Sequence, residues 1–475
     1  MIVGAFVALL GVLMIVPVAA DLIAGSPNWK VFAASSGVSI FIGGGLWASG
    51  RSGERVSLTI RQTFLLTGLS WIALAGFASL PFMWSELDLD FTEAFFEATS
   101  GITTTGGTVL TGLDNLPPGL LLWRALLHFY GGIGVIVIAI AVLPMLRIGG
   151  MQLFRAESSD RSEKIFPGAA QIAGSIFGVY LALNVACAVA FMLAGMTPFD
   201  ALLHGMSTVA AGGFAAYDAS FAYFQSPAVD WVAIVFMIGA SLPFVMYIHA
   251  IRGRPGRLWR SSEVRLFFAI VAAATVLLWI YLELRGIASG GTAFRLSAFH
   301  VVSLISTTGL ATQDYATWGP FTDILFLLLM FIGGCTGSPA GGIKVLRFLI
   351  AGKAVAQQMR RMLYPNGVFP LIFEGRTLPD DVVRSVATFF LVYFLAFALL
   401  TLGVGATGLD FRTALSAVAA NLANAGPGLG PLIGPVGNYS SLSEPALWLL
   451  SLAMLLGRLE IFTLLILFLP RFWRP

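Results

Sequence analysis

The sequence contains little charge and almost no cysteine. Only 11% of its 475 residues are charged, whereas 57% are hydrophobic. The two cysteines, Cys187 and Cys335, lie in apolar segments, which argues against a disulfide framework and against a thiolate metal site. The four histidines lie in separate apolar segments without metal-ligand spacing, so we expect them to be packing residues. These shortages exclude a soluble enzyme and indicate a polytopic membrane protein.

Apolar stretches of about 20 residues, long enough to cross about 30 Å of hydrocarbon as helices, recur from end to end. The mean hydropathy is +0.88. The first stretch lacks a basic n-region and a clear cleavage site, so we predict a retained helix rather than a removable signal peptide. We predict ten spanning segments, at 2–20, 31–49, 63–84, 119–146, 171–195, 229–251, 264–282, 320–346, 386–404 and 446–469.

The charged residues are distributed unevenly between alternate linkers. If both termini are cytoplasmic, 21 of the 27 Lys and Arg residues fall on the inner side, as the positive-inside rule requires. The acidic residues gather on the outer side, either as ordinary loop solvation or as a negative vestibule that concentrates cations. The basic linkers are 50–61, 147–164, 252–265, 344–384 and the C-terminus, and the outer acidic residues include Asp21, Glu97, Asp200, Asp218 and Asp230.

Four segments between the spans are too short and too interrupted by glycine to cross a membrane. Each has about ten amphipathic residues followed by a small, hydroxylated or glycine-rich tail. Small residues that allow tight helix packing would explain one such tail, but four in register favour a structural repeat. The segments are DFTEAFFEATSGITTTGGTVL, PFDALLHGMSTVAAGGFAAYD, AFRLSAFHVVSLISTTGLATQD and DFRTALSAVAANLANAGPGLGP.

The repeat predicts an all-α polytopic membrane protein with four pseudo-symmetric helix, pore-loop and helix units around a central pore, plus an N-terminal helix pair. Four extended strands that face one axis can replace the hydration shell of a cation with backbone carbonyls. Glycine permits the backbone conformations that such strands need. The predicted boundaries are 1–60 for the helix pair and 61–165, 166–260, 261–375 and 376–475 for the repeats.

Several long motifs carry a resemblance to a known family. SGITTTGGTVL, STTGLATQDYATW, NLANAGPGLGP, GGCTGSPAGGIKVLRF and GRLEIFTLLILF resemble the Trk/Ktr/HKT superfamily of potassium transporters, most of all its TrkH branch, over essentially the whole chain. The resemblance implies a potassium filter formed mainly by backbone carbonyls. Members that favour sodium tend to carry serine at Gly106, so glycine there argues for potassium. The implied filter residues are Thr104, Thr105, Gly106, Ala210, Ala211, Gly212, Thr307, Thr308, Gly309, Asn424, Ala425 and Gly426.

The resemblance also implies surroundings and partners. It places the chain in the bacterial inner membrane as a multi-pass protein and implies a homodimer. It further implies a cytosolic RCK-type nucleotide-binding regulatory subunit similar to TrkA, because nothing in the chain itself binds ATP. Potassium is then the transported ion, and we expect no organic cofactor and no nucleic-acid partner. The basic run 252–265 fits either a docking surface or an anionic-lipid surface, and charge alone leaves both open.

The stretch GGCTGSPAGG cannot remain a regular helix, because Pro339 lacks an amide donor and the glycines cost helix stability. We predict an intramembrane loop beneath the filter, and we expect the other repeats to stay helical there. The family resemblance implies that this loop is mobile, occludes the pore and is paired with Arg458. Arg458, near the bilayer midplane, is either a strut bonded to exposed carbonyls or a positive barrier in the pore. Lys344 and Arg347 either reach the cytoplasmic interface or, for Lys344, bind loop carbonyls or a partner, and Glu460 braces a neighbouring helix. The predicted gate residues are Gly333, Gly334, Gly337, Gly341, Gly342, Lys344 and Arg458.

These features predict a potassium-selective, channel-like uptake pore that is not an enzyme. One alternative is a cation-coupled symporter, which would need a second ion site. Another is an intramembrane enzyme, which would need paired catalytic groups at membrane depth. The only titratable residues that we place there are Arg458 and Glu460.

Overall fold

The fold is described by a computed structural model that covers residues 1–50, 59–141 and 169–474. The predicted basic linker 147–164 and most of 50–61 lie outside these residues. The structure confirms the predicted all-α polytopic class. The N-terminal pair and the first repeat comprise helices Ile2–Leu13, Ile15–Ala24, Trp29–Ser49, Ile60–Ala78, Leu80–Trp84, Phe91–Ile102 and Pro118–Ala141, with a 3-10 turn at Leu113–Asn115.

The remaining repeats follow the same order, and each contains one helix of 12 to 16 residues between a long spanning helix and a further helical part. The second comprises Ala169–Leu193, Pro198–Val209, Pro227–Ala240, Phe244–Ile251 and Gly256–Arg260, with a 3-10 turn at Ser220–Tyr223. The third comprises Ser262–Leu284, Gly290–Ile305, Pro320–Met330 and Val345–Leu363, with a 3-10 turn at Tyr315–Thr317 and a hairpin of strands Ile372–Phe373 and Arg376–Thr377. The fourth comprises Asp380–Gly405, Phe411–Leu422, Glu444–Arg458, Phe462–Leu465, Ile466–Phe468 and Pro470–Trp473.

Six helices of the described chain are long and apolar enough to cross a membrane, or up to eight if each bent pair counts as one span. Three of the ten predicted segments are interrupted. Segment 229–251 bends by 95° after Ala240, segment 446–469 bends by 110° after Arg458, and segment 320–346 stops being helical at Met330. The expectation that only the third repeat is broken is therefore wrong.

Each extra break has a local cause. Pro243 is the N-cap of helix Phe244–Ile251, and a proline has no amide to continue the preceding helix. In the fourth repeat Glu460 and Ile461 have positive φ, at 60° and 37°, which ends regular helix for any L-residue. Both breaks lie at the level of the third-repeat loop, which hydrogen-bonds to them as described below.

The four short helices coincide with the predicted pore helices, and we use that name for them; most of their residues are buried. We call the face at which they begin the outer face. Side-chain caps fix three of their starts: Asp90 accepts from Glu93 N at 2.8 Å, Thr197 from Asp200 N at 3.2 Å and Asp410 from Thr413 N at 3.1 Å. Each cap satisfies an amide that the helix itself leaves without a partner.

Glycine allows the following helix to pack directly on two of the pore helices. A Cβ on Gly131 would lie closer than 3.0 Å to the carbonyl oxygen of Ile102, the last residue of the first pore helix. A Cβ on Gly457 would lie equally close to the carbonyl oxygen of Leu422, the last residue of the fourth. The first and fourth repeats therefore place their pore helices by the same backbone contact.

Candidate functional site

Each pore helix runs into an extended segment through the same backbone sequence. The residue after the helix C-cap has a positive φ between 49° and 56°, and a glycine two positions later has a φ between 75° and 87°. L-residues rarely adopt the first conformation, and the second is natural only to glycine. The first positions are Thr104, Ala211, Thr307 and Asn424, and the glycines are Gly106, Gly213, Gly309 and Gly426.

This pattern corrects the predicted register of the second repeat by one residue. Ala210 is the C-cap of the pore helix rather than the first filter residue, and Gly213, not Gly212, has the φ of 87° that matches Gly106. The tail AAGG offers two glycines, and only the backbone conformation distinguishes them. The matching amide bonds run from Thr105 N to Ser100 O, Gly212 N to Ser207 O, Thr308 N to Ser303 O and Ala425 N to Ala420 O.

The four filter segments contact each other in a closed ring. At every ring glycine, a Cβ would lie closer than 3.0 Å to the carbonyl oxygen of the neighbouring segment, so a larger residue would displace that oxygen. The ring therefore brings together four equivalent carbonyls, which is the arrangement that replaces water around a dehydrated cation. The contacts run from Gly106 to Gly212 O, Gly213 to Thr308 O, Gly309 to Ala425 O and Gly426 to Thr105 O.

Side chains tie the ring together from behind. Asn424 Nδ2 donates to Thr105 Oγ1 at 2.9 Å and to Met454 O at 3.0 Å, which joins the first and fourth segments to the last long helix. The Thr105 hydroxyl also lies 2.8 Å from that of Thr103, and the Thr308 hydroxyl lies at the same distance from Ser306. All these residues are buried, so the bonds replace water that the groups would otherwise need.

Two of the four histidines have the packing role that the sequence predicts. His204 Nε2 accepts from Ala216 N at 3.3 Å, and His300 Nε2 accepts from Thr312 N at 3.4 Å. In both cases the other ring nitrogen faces the carbonyl four residues earlier in the pore helix. These imidazoles hold the segment that leaves the filter against its pore helix.

A buried ion pair behind the filter was missed from sequence. Arg124 Nε donates to Glu97 Oε1 at 2.9 Å, and both side chains are at most 2% exposed. Glu97 also accepts from Val109 N at 3.0 Å, while Arg124 donates to Ala215 O at 2.7 Å and lies 4.0 Å from the ring centroid of Phe214. The pair links the outgoing segments of the first and second repeats, and the only sequence signal was an arginine inside an apolar span.

The predicted negative vestibule is correspondingly reduced. Glu97 is buried rather than facing the outer loops, and Asp230 pairs with Arg295 at 3.2 Å. A cavity lies on the outer side of the ring, and among the described acidic residues only Asp218 lines it, with Arg124 on the same wall. The expectation that these outer acids form a broad acidic mouth is therefore wrong for Glu97 and Asp230.

The third-repeat loop, residues 331–344, lies directly beneath the filter. Gly341 N donates to Thr307 Oγ1 at 2.6 Å, and Gly342 N donates to Ala423 O at 2.8 Å, at the end of the fourth pore helix. Two of its glycines, Gly337 and Gly342, have positive φ. We call this segment the intramembrane loop.

The two ends of the intramembrane loop are paired with each other. Gly333 N donates to Ile343 O at 3.0 Å, and Ile343 N donates to Phe331 O at 3.0 Å. A Cβ on Gly333 would lie closer than 3.0 Å to Gly341 O, so this close approach requires glycine. A Cβ on Gly334 would lie closer than 3.0 Å to Ala340 Cβ and Ser338 Oγ, and 3.1 Å from Ser241 O, so this position is also tightly packed.

The intramembrane loop also bonds to the break in the second repeat. Cys335 N donates to Ser241 O at 2.9 Å, and Phe244 N donates to Gly337 O at 3.2 Å. Ser241 O and Phe244 N are backbone groups that the bend leaves outside a regular helix, so the loop supplies their partners. The breaks in the second and third repeats thus stabilise each other.

Two buried cations bind the tip of the intramembrane loop. Arg458 Nη1 donates to Pro339 O at 2.7 Å, and Lys344 Nζ donates to Ser338 O at 3.3 Å and to Ala340 O. Arg458 is 5% exposed and Lys344 is 7% exposed, so Lys344 does not reach the interface. Of the two possibilities left open for Lys344, the structure therefore shows bonding to the loop carbonyls.

Arg347 and Glu460 form a second buried ion pair. The Arg347 Nη2 atom contacts Glu460 Oε2, and the guanidinium lies 3.7 Å from the ring centroid of Phe389. Arg347 is 2% exposed, so the prediction that it extends to the cytoplasmic interface is wrong. Glu460 braces a neighbouring helix instead of pairing with Arg458, as predicted.

Glu263 is a second site residue that sequence reasoning missed. Its Oε1 accepts from Thr336 N at 2.6 Å, from Thr336 Oγ1 at 3.0 Å and from Leu346 N at 3.2 Å. Thr336 lies within the intramembrane loop and Leu346 lies just beyond it, so one carboxylate fixes both. Nothing in the sequence SSEVRL distinguished this glutamate from a residue of a solvated loop.

Comparisons with known proteins agree with this geometry. The family model TrkH, described as a cation transport protein, matches residues 28–474. The chain is 39% identical over 481 residues to the Trk system potassium uptake protein TrkH of Escherichia coli K12, covering 100% of this chain and 98% of that protein. It is 44% identical over 420 residues to the protein TrkI of Halomonas elongata, covering 88% and 85% of the two chains.

A solved structure matches over the same length. The crystal structure of the potassium transporter TrkH from Vibrio parahaemolyticus superposes with a TM-score of 0.92 at 39% sequence identity, covering 100% of this chain and 98% of that one. At this identity and coverage the likeness extends over the whole chain. It supports the description of the chain as a multi-pass membrane protein.

Proposed function

Because this chain belongs to the TrkH family of cation transport proteins, we propose that it takes up potassium across the bacterial inner membrane through a selective, channel-like pore. Family membership makes it a transport protein and not an enzyme. The observation that carries the proposal is the closed ring of equivalent carbonyls, directly above an intramembrane loop that is held by buried cations. The ring selects the ion, and the loop controls its passage.

Selectivity rests on the ring glycines. Four carbonyls, on Thr105, Gly212, Thr308 and Ala425, face the glycines of neighbouring segments at a spacing that a side chain would disturb. Carbonyl oxygens held in this way replace the hydration shell of a potassium ion. The C-terminal ends of four pore helices point toward the same region and add a negative potential that favours a cation.

The gate rests on Arg458 and the intramembrane loop. One guanidinium nitrogen binds Pro339 O, and the Nε and Nη2 atoms have no hydrogen-bond partner among the described residues. No carboxylate of the described chain forms an ion pair with Arg458, so its positive charge is not neutralised locally. A cation that leaves the ring therefore meets a backbone obstruction and an uncompensated positive charge together.

The proposed assembly follows from the relatives. Their printed names place them in Trk potassium uptake systems. We propose that this chain likewise acts as a homodimer with a cytosolic RCK-type nucleotide-binding subunit similar to TrkA, and that both of its termini are cytoplasmic. Crosslinking of a cysteine at the C-terminus to the regulatory subunit, in intact cells, would test the orientation and the partnership together.

The decisive experiment compares potassium and sodium flux in liposomes for the wild type and Gly106→Ser. Adding a side chain at Gly106 crowds Gly212 O, so we expect potassium selectivity to fall. Gly76→Ser is the matched control, because a Cβ at Gly76 contacts nothing within 4 Å. Unchanged selectivity in folded Gly106→Ser protein would contradict the filter assignment.

The alternative function is a cation-coupled potassium symporter. Two buried carboxylates, Glu97 and Glu263, lie near the pore, but Arg124 and the loop amides already occupy them. Neither therefore offers an open site for a coupling ion. Potassium accumulation that follows an imposed proton or sodium gradient at zero membrane potential would favour the symporter, and accumulation that follows voltage alone would exclude it.

A further inference from the structure

An open cavity of about 400 Å³ lies at the cytoplasmic end of the second and third repeats. It is lined by the short helix Gly256–Arg260, the start of the spanning helix Ser262–Leu284 and the turn before strand Arg376–Thr377. The pore function described above does not use this cavity. Its lining includes Arg257, Arg260, Arg265, Ser261, Ser262 and Glu374.

The cavity is strongly cationic. Three arginines line it against one carboxylate, Glu374, whose Oε1 already accepts from Ser262 N at 3.2 Å. Among the described residues, Arg265 and Arg257 bond to a hydroxyl and an imidazole rather than to a carboxylate: Arg265 Nη2 lies 3.4 Å from Ser262 Oγ, and Arg257 Nη1 lies 3.4 Å from the His249 ring. Guanidinium groups bonded in this way keep donors available for a phosphate, which they bind with paired hydrogen bonds.

The spanning helix contributes a second anion-favouring feature. Helix Ser262–Leu284 is 23 residues long, and its N-cap Ser261 makes no side-chain cap hydrogen bond. The first amides of such a helix carry a partial positive charge that stabilises an anion at this end. Both the helix terminus and the three arginines therefore face the same cavity.

Neighbouring apolar side chains place the cavity beside the bilayer. Trp259 is 61% exposed and Ile251 is 78% exposed, although both belong to helices that border the cavity. The Trp259 indole stacks on Phe268 of the spanning helix, with ring centroids 5.3 Å apart. Exposed tryptophan next to a spanning helix is typical of the membrane–water interface, where headgroups lie.

We propose that this cavity binds the phosphate of an anionic phospholipid headgroup. The arginines and the helix terminus hold the phosphate, while Ile251 and Trp259 lie beside the acyl chains. A soluble phosphate compound offers the same charge but no apolar part, so it would leave these two side chains in water. This combination of an arginine cavity with a flanking apolar surface favours a lipid over a free anion.

The test uses the purified full-length protein and the double variant R257A/R260A. Native mass spectrometry or lipid analysis after detergent washing measures the phosphatidylglycerol that remains bound. We expect the double variant to bind about tenfold more weakly, which corresponds to about 1.4 kcal/mol. The matched control is R360A/R361A, which removes the same charge from two exposed residues of helix Val345–Leu363 outside the cavity and should bind as the wild type does.

Further arms identify the ligand and keep the test decisive. Phosphatidylethanolamine should be retained less than phosphatidylglycerol, and inorganic pyrophosphate should not displace the lipid. Equal loss in R360A/R361A would show a general charge effect, and full retention in R257A/R260A would show that the cavity is not the site. Efficient displacement by pyrophosphate would assign the cavity to a soluble phosphate compound, and each of these results would overturn the proposal. If R257A/R260A does not fold, the single variant Arg265→Ala decides by the same measurement.

Discussion

The filter ring and the layer directly beneath it differ in symmetry. In the ring, each repeat contributes the same backbone conformation, the same amide bond to its pore helix and the same glycine contact to its neighbour. Beneath the ring, the second repeat bends after Ala240, the third forms the intramembrane loop and the fourth ends its helix at Arg458. In the first repeat, helix Pro118–Ala141 continues through the corresponding region.

Under the proposed function, the difference corresponds to two physical tasks. A spherical ion is best surrounded by equivalent donors, which four repeats supply only when their backbones match. A gate must instead have two arrangements of similar energy, which a fourfold set of identical contacts would disfavour because all four would have to change together. The repeats are therefore alike at the ring and differ below it.

The largest effect should come from breaking the symmetry of the ring. Gly213→Ala would place a Cβ closer than 3.0 Å to Thr308 O at a φ of 87° that alanine rarely adopts. Strain and displacement of about 3 kcal/mol would lower potassium flux roughly a hundredfold. Flux in liposomes measures it, and the control is Gly76→Ala, because a Cβ at Gly76 would contact nothing within 4 Å.

This experiment also tests the corrected register of the second repeat. Gly76 lies in helix Ile60–Ala78, outside the ring, and should tolerate alanine because no atom lies within 4 Å of its Cβ position. If the folded Gly213→Ala protein conducts like the wild type, Gly213 does not belong to the ring.

A smaller effect should come from removing the charge beneath the ring. Arg458→Ala eliminates the bond to Pro339 O and the uncompensated positive charge, so basal potassium flux should rise about tenfold, equivalent to about 1.4 kcal/mol of barrier. Arg458→Lys keeps the charge and should stay close to the wild type. Unchanged or reduced flux in folded Arg458→Ala protein would identify Arg458 as a structural strut.

Loosening the intramembrane loop without altering the pore charge should have a weaker effect. Glu263→Ala removes the shared acceptor for Thr336 and Leu346, and we expect basal flux to rise about threefold, since Arg458 still binds the tip. Glu263→Gln is the control because it retains an oxygen that can accept these bonds. Equal flux in all three proteins would show that this carboxylate does not restrain the loop.

The smallest effect should come from a pore-helix cap at the outer face. Asp410→Ala removes the acceptor for Thr413 N and should lower stability by about 1 kcal/mol. The matched control is Ser289→Ala, since Ser289 begins the third pore helix without a side-chain cap bond. Thermal unfolding in detergent measures both, and an equal loss in the two variants would contradict the capping role.

The same cap has a defined pH dependence. Hydrogen bonds from the Thr413 hydroxyl and amide lower the pKa of Asp410 below its ordinary value. A lowered folded-state pKa means that the contribution is present at neutral pH and is lost as the pH falls through that lowered pKa. The difference in melting temperature between the wild type and Asp410→Ala should therefore narrow on acidification.

The sequence predicted the features that hydrophobic periodicity and glycine encode. The spans, the four pore helices and the ring glycines of three repeats follow from apolar stretches and small-residue tails. The predicted register of the second repeat was wrong by one residue, because the sequence alone does not distinguish the adjacent glycines Gly212 and Gly213. Only the backbone conformation identifies Gly213 as the ring glycine. The bend at Pro243 could have been predicted from the proline, whereas no residue type in the sequence indicated the turn at Glu460 and Ile461.

The positions of buried charged side chains were predicted less well than the backbone conformation. Glu97 lies in an amphipathic segment and Glu263 follows two serines, yet both are enclosed by partners that are distant along the chain. Arg347 belongs to a basic run that is typical of the membrane interface, but its side chain is buried in contact with Glu460 and Phe389. Such pairings depend on tertiary contacts, which no local pattern records.

The closed neck of the intramembrane loop determines what kind of motion the proposed gate needs. Gly333 N donates to Ile343 O at the base of the loop, so the segment is an Ω-loop. Its two ends therefore stay paired when the tip loses the bonds from Pro339 to Arg458 and from Gly341 to Thr307. In the proposed gate, opening would move the intramembrane loop as a preformed unit instead of unwinding a helix, so no helical hydrogen bond would be lost.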